Sequence, residues 1–131
     1  MANVTRIELE GVERLARRLE QLGRKGALIQ NKALREGGKI VADAMRNNVN
    51  RSKKMQTHIQ DDIKISRVKG DRISARHVEV GPGKETAWRA KFLEFGTKKM
   101  PAYPFVEPSL VEKREEVIET IRGKFKEGLG I

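Results

Sequence analysis

The sequence contains no cysteine, which excludes a disulfide framework, a thiolate metal site and a cysteine nucleophile. It also has no run of about 18 apolar residues, so no segment predicts a membrane-spanning helix. A basic segment followed by an apolar one, as in a secretory signal, is missing from the N-terminus. The sequence therefore predicts neither secretion nor a membrane partner.

Aromatic residues make up only 5% of the chain, and none lies in residues 1–60. The same segment carries 13 basic and 6 acidic residues, so it holds most of the net charge of +10. Such an excess favours nonspecific contact with DNA phosphates or with an acidic protein; solvated helix faces are the alternative. Recognition of single strands usually adds aromatic stacking, which this segment cannot supply. The expected basic contact surface comprises Arg17, Arg18, Arg24, Lys25, Arg51, Lys53 and Lys54.

No group of residues has the pattern of a catalytic centre. His58 and His77 have no second ligand at a spacing that metal sites use, and no serine stands in a Gly-x-Ser-x-Gly sequence. Residues 81–86 differ from a phosphate-binding loop, because one residue separates the glycines and Glu85 follows the lysine. We expect a flexible strand-connecting loop there. The sequence predicts no enzyme, no cofactor and no metal.

The length of 131 residues suits a single domain over residues 1–131. Residues 4–9 predict a short edge strand or an extended arm within residues 1–10. Apolar residues at spacings of three and four predict a helix over residues 12–22 and another over 27–49. Residues 50–59 lose this period and predict an exposed loop.

Two adjacent glycines, Gly37 and Gly38, lie in the middle of the second predicted helix. Each costs roughly 1 kcal/mol relative to alanine in a helix. They indicate either a tolerated weak point or close helix crossing, or a hinge.

The second half of the chain predicts a small sheet followed by a helix. Apolar and polar residues alternate in residues 63–68 and 73–80, and turn-forming residues lie between the two segments. This pattern predicts a β-hairpin. The aromatic segment 88–95 favours a third strand, with a helix as the alternative. Ser109 and Glu112 have the spacing of a capping box, which predicts that the C-terminal helix begins there. The fold class predicted is α+β: two N-terminal helices, a small antiparallel sheet and a C-terminal helix.

Residues 92–110 form the most distinctive segment. Three of the four prolines fall in residues 101–108 and hold the chain extended, while Gly96 allows a sharp exit from the aromatic segment. Tyr103, Phe105 and Val106 could then pack on the aromatic segment or dock a neighbouring subunit. These residues predict a rigid connector between the third predicted strand and the last helix.

Residues 94–97 (Glu-Phe-Gly-Thr), followed by residues 100–102 and 104–110, closely resemble the signature of a tailed-bacteriophage family. It is the family named for the tenth gene product of a lambda-like coliphage, whose members are head-tail joining, neck or minor tail components. Residues 10–15 are similar to the N-terminus of that family. The order of the predicted elements between these motifs fits as well, so the resemblance covers nearly the whole chain.

The resemblance implies an α+β subunit of a homo-oligomeric ring in the neck of a phage or prophage virion, between the portal vertex and the tail tube. Its partners would be other neck and tail proteins, and it would be made in the cytoplasm of the bacterial host. Family membership supplies no catalytic residue, and nearby loops would make the contacts between subunits. The residues expected to hold a structural turn are Glu94, Phe95, Gly96, Thr97, Pro101, Pro104, Phe105 and Pro108.

Overall fold

The computed structural model describes residues 5–8, 12–49, 58–70 and 76–131. Within them it contains three strands, four α-helices and one short 3₁₀ helix. In chain order these are β1 (Thr5–Glu8), α1 (Glu13–Glu20), α2 (Arg24–Asn48), the 3₁₀ helix (Ile59–Asp62), β2 (Ile63–Ile65), β3 (His77–Pro82), α3 (Ala87–Phe95) and α4 (Val106–Leu129). The predicted α+β class is confirmed.

The sheet is antiparallel and has the strand order β1-β3-β2. β2 pairs with β3, with Ile63 opposite Pro82, which confirms the predicted pairing of these two segments. The N-terminal segment is a strand: β1 pairs with the other side of β3, with Thr5 opposite Val80. Most of the loop predicted at residues 50–59, and part of the turn between β2 and β3, lie outside the described residues.

Helix α2 is the centre of the fold, because it lies between the sheet and α4. A Cβ atom on Gly37 would stand 3.1 Å from Val117 Cγ1 of α4, and one on Gly38 would stand 3.2 Å from Ile65 Cγ2 of β2. The two glycines therefore let α2 approach a different neighbour on each side. The helix runs unbroken from Arg24 to Asn48, and the close contacts at both glycines confirm the close-packing interpretation.

The predicted third strand at residues 88–95 is wrong, because this segment is helix α3. The prediction assumed that so aromatic a segment must be buried in a sheet. In the structure the small residue Ala90 and the carboxylate of Glu94 face inward, while Trp88 and Phe95 are exposed. The helical alternative is the correct one.

The C-terminal helix is confirmed, but its predicted start is wrong. α4 begins at Val106 instead of after Ser109, and Ser109 Oγ donates a hydrogen bond to the Phe105 carbonyl one turn earlier. Pro108 consequently lies in the first turn, where a helix needs no backbone N–H donor. Val117, Ile121 and Phe125, which recur at helical spacing along α4, are buried.

Candidate functional site

The connector motif holds a buried carboxylate at the start of α4. Glu94 Oε1 accepts hydrogen bonds from the backbone N–H groups of Phe105 (2.9 Å) and Val106 (3.0 Å). Glu94 Oε2 accepts a third from the N–H of Glu107 at 3.2 Å. A helix leaves its first four N–H groups without partners inside the helix, and its N-terminus carries partial positive charge. One side chain from α3 therefore caps three of them.

The fourth position of this helix start is Pro108, which has no N–H to satisfy. The three hydrogen bonds to Glu94 and the proline together account for all four positions at the start of α4. Phe105, the residue just before α4, is fully buried and anchors the junction in the core. We call this junction between α3 and the start of α4 the Glu94 cap.

A tight loop returns the chain from α3 to α4. Gly96 has φ +73° and ψ 177°, a conformation that favours glycine, and a Cβ there would lie 2.9 Å from Ala102 N. Thr97 and Met100 then exchange backbone hydrogen bonds of 2.9 and 3.3 Å. Tyr103 N–H donates to Leu93 O at 2.7 Å, which ties the loop back to α3. The chain thus reverses direction within a few residues.

The motif residues expected to hold the turn have different positions in this arrangement. The buried members, Glu94 and Phe105, make the junction, and Gly96 and Thr97 make the backbone reversal. The remaining members are exposed at the surface of the connector: Phe95, Pro101, Pro104 and Pro108.

The opposite end of α3 is fixed by a second buried polar contact. Thr86 Oγ1 donates to Asp62 Oδ2 at 2.8 Å, and both side chains are buried. Gly83 N–H donates to the Asp62 carbonyl at 2.9 Å. Residues 81–86, predicted as a strand-connecting loop, therefore form the end of β3 and the turn into α3. Helix α3 is held at both ends by buried carboxylates.

Helix α3 presents aromatic side chains to solvent. Trp88 is 61% exposed, Phe92 46% and Phe95 60%, and their spacing of four and three residues places them on one face. Tyr103, 54% exposed, belongs to the loop that is bonded to α3. We call these four side chains the aromatic stripe. The rings of Trp88 and Phe92 meet edge to face at 6.2 Å.

The basic residues predicted as a contact surface are only partly described. Four are exposed around the turn between α1 and α2: Arg17, Arg18, Arg24 and Lys25. The other three lie outside the described residues: Arg51, Lys53 and Lys54.

A second basic feature, which sequence reasoning missed, is a groove of about 510 Å³ beside α2. Its lining includes Lys32, Arg35 and Lys39 from α2 and Arg67 from the segment after β2. The signal was available, because Lys32, Arg35 and Lys39 follow each other at spacings of three and four on a predicted helix. Only the fold brings Arg67 to the same place. We call these four side chains the basic groove.

The described residues contain no group of three or more His, Cys, Asp or Glu side chains that could hold a metal ion. His58 precedes the 3₁₀ helix, and His77 lies on β3 with Nε2 at 3.9 Å from Glu79 Oε1. Across the same described part of the chain, no helix is both long and apolar enough to cross a membrane.

Comparison with known proteins gives one match. The family model described as "Bacteriophage HK97-gp10, putative tail-component" matches residues 13–96, which include helices α1, α2 and α3 and end in the connector motif at Gly96. Comparison with curated proteins and with solved structures found no match. Because the family model covers well over half of the sequence, the chain belongs to the HK97-gp10-like family of bacteriophage tail components.

Proposed function

We propose that this protein is a structural subunit of a tailed phage or prophage virion and joins the head to the tail, as a neck or tail-completion ring. Family membership supports the structural role. The observation that carries the proposal further is the aromatic stripe, since large exposed apolar patches mark sites of association with other proteins. Its partners would be other neck and tail proteins, and the assembled protein would reside in the virion.

The construction of α3 supports an assembly role. The helix is held at one end by Asp62 and Thr86 and at the other by the Glu94 cap, so its outer face is presented on a fixed support. Preorganised surfaces lose less conformational entropy on binding than mobile ones. Such a role needs no catalytic group.

Deletion of the gene from its phage tests the proposal. We expect filled heads and complete tails that remain unjoined, visible by electron microscopy, and restoration of infectious particles by a plasmid copy. Purified protein, alone and mixed with the phage neck and tail proteins, should form annular particles. Normal infectious particles from the deletion strain would overturn the proposal.

A second candidate function is nonspecific DNA association, and the basic groove favours it. The groove places the side chains of Lys32, Arg35, Lys39 and Arg67 around one concavity. Only Lys39 among them has a carboxylate partner within the described residues, Glu36 at 3.1 Å. Cations in such a groove neutralise phosphates without reading sequence. A ring with this groove on its inner surface would combine both functions.

A further inference from the structure

The aromatic residues of this chain divide between the core and the exposed side of α3 with the loop that follows it. The chain has six, and two of them, Phe105 and Phe125, are fully buried. The other four are the aromatic stripe, each at least 46% exposed. Aromatic side chains bury large areas and are enriched at the centres of protein interfaces. The stripe therefore has the composition of an interface that another molecule covers.

The surroundings of the stripe are cationic. Residues 84–99 contain five basic residues and two acidic ones, and one of the acidic residues is the buried Glu94. Lys91 is exposed and lies three residues after Trp88 and four before Phe95, so it stands within the stripe. Lys98 and Lys99 are exposed in the loop that follows. A partner that covers this surface needs an apolar centre with negative charge around it.

The outer face of α4 has these properties. Residues 107–119 contain five glutamates against two basic residues. In their midst Val111 is 69% exposed, and Glu107 and Glu115 lie four residues before and after it on the same face. Glu112 borders this face, with its side chain 58% exposed and its Oε1 atom 4.0 Å from Lys113 Nζ, and the exposed Arg114 lies three residues after Val111. We call Val111 with Glu107, Glu112 and Glu115 the acidic face.

We propose that the aromatic stripe of one subunit packs on the acidic face of the next copy of this chain, and that this contact builds the ring. The inference rests on the proposed ring function and names the surfaces that form it. The two surfaces are opposite in net charge, and each has exposed apolar surface at its centre, the aromatic rings in one and Val111 in the other. Charge complementarity of this kind fixes how two partners align and disfavours binding to wrong partners.

The two surfaces are different parts of the same chain, so each subunit can use one of them on the copy before it and the other on the copy after it, which is a heterologous contact. A heterologous contact repeats from copy to copy and closes into a ring when its rotation permits. A contact of the stripe with itself would instead bring five cations against five and would stop at a dimer. The charges therefore favour contact of the stripe with the acidic face over contact of the stripe with itself.

Site-specific cross-linking tests the contact directly, because the absence of cysteine leaves no background. One full-length variant carries Phe95→Cys and another carries Val111→Cys, both at exposed positions. They are mixed, treated with a short bis-maleimide at high protein concentration, and also examined in particles from the complemented deletion strain. Leu28→Cys, 62% exposed beside the basic groove, replaces Val111→Cys in the control.

We expect a covalent dimer from the Phe95→Cys and Val111→Cys mixture and none from either variant alone or from the control pair. A dimer of Phe95→Cys with itself would show that the stripe pairs isologously and would overturn the proposal. A product that joins Phe95→Cys to a different phage protein would also overturn it.

Charge reversal provides a second test that does not depend on cysteine chemistry. Lys91→Glu with Lys98→Glu should weaken self-association about tenfold or more, and so should Glu112→Lys with Glu115→Lys. A mixture of the two variants should associate again, because each then offers the charge that the other needs. Lys32→Glu with Arg35→Glu changes the net charge as the first variant does and should leave association unchanged. Failure of the mixture to recover would overturn the proposal.

The outcomes separate this contact from the head-tail function. If annular particles form, or the gene is required, but no cross-linked product appears, the head-tail function stands and the proposed contact is wrong. The cross-linked product together with a dispensable gene would establish the contact and overturn the function. Absence of both would overturn both.

Discussion

Glu94 and Phe105 are joined by a hydrogen bond of 2.9 Å, in which the buried carboxylate of α3 accepts from the backbone N–H at the start of α4. The same carboxylate also accepts from the next two backbone N–H groups. This relationship gives the connector motif a physical meaning. The motif joins α3 to α4 through a tight loop that begins at Gly96, whose φ is +73°.

Removal of the cap should weaken the fold. Hydrogen bonds to charged groups contribute about 1.5–3 kcal/mol, so Glu94→Ala should lower the free energy of unfolding by about 2 kcal/mol or more. Glu94→Gln keeps an acceptor oxygen and should cost about 1 kcal/mol. Urea denaturation measures both. Glu107→Gln, at the exposed side of the same helix start, is the control and should stay within about 0.5 kcal/mol of the original protein; an equal loss there would contradict the cap.

Alanine substitutions at two helical glycines should change the free energy of unfolding in opposite directions. A Cβ on Gly38 would meet Val78 Cγ2 at 3.3 Å and Ile65 Cγ2 at 3.2 Å, and β-branched side chains rotate little. Gly38→Ala should therefore destabilise by about 1–2 kcal/mol despite its better helix propensity. A Cβ on Gly123 would have no atom of the described residues within 4 Å, so Gly123→Ala should stabilise by about 0.5–1 kcal/mol. Thermal or urea unfolding that showed stabilisation at both positions would contradict the packing of α2 on the sheet.

Two glycines with positive φ should differ in their tolerance of alanine. Gly96→Ala combines a conformation that side chains avoid with a backbone contact at 2.9 Å, and should cost more than about 2 kcal/mol. Gly130, at the end of α4, has φ +74°, but a Cβ there would meet no atom in the described part of the chain within 4 Å, so Gly130→Ala should cost about 1 kcal/mol. If chemical denaturation gave equal losses of stability for the two variants, the backbone contact at Gly96 would add no constraint beyond the positive φ.

DNA binding through the basic groove should depend steeply on salt. A plot of log affinity against log salt for duplex DNA should be linear, and Lys32→Ala with Arg35→Ala should reduce its slope by about two. Lys91→Ala with Lys98→Ala removes the same charge elsewhere and should leave the slope unchanged. Fluorescence anisotropy from about 50 mM salt upward measures this, and no binding at that salt would exclude the second candidate function.

Periodic patterns in the sequence were enough to find α1, α2 and α4 and the pairing of β2 with β3. Each of these elements has a buried face whose apolar residues recur at the period of its own secondary structure, so the signal is local. The connector was also predicted from local signals, because Gly96 and the prolines set the backbone conformation at their own positions.

The prediction failed for α3 because this helix inverts the usual arrangement of apolar side chains inside and charged side chains outside. The aromatic side chains face solvent while Ala90 and Glu94 face the protein, and a single chain's apolar pattern does not say which face a partner covers. The capping box at Ser109 failed for a related reason. The residue that caps α4 is Glu94, eleven positions before the first N–H it accepts from, and no local spacing marks such a pair.

The sequence by itself determined that this is a small basic α+β protein with a phage-like connector motif, since composition, period and motif are properties of the chain alone. The tertiary structure decided what that motif does. It brought the Glu94 carboxylate to the start of α4, gave Gly37 and Gly38 a neighbour on each side of α2, and left the aromatic stripe uncovered. These relationships join residues that are distant in sequence, and only folding brings them within the few ångströms over which hydrogen bonds and packing act.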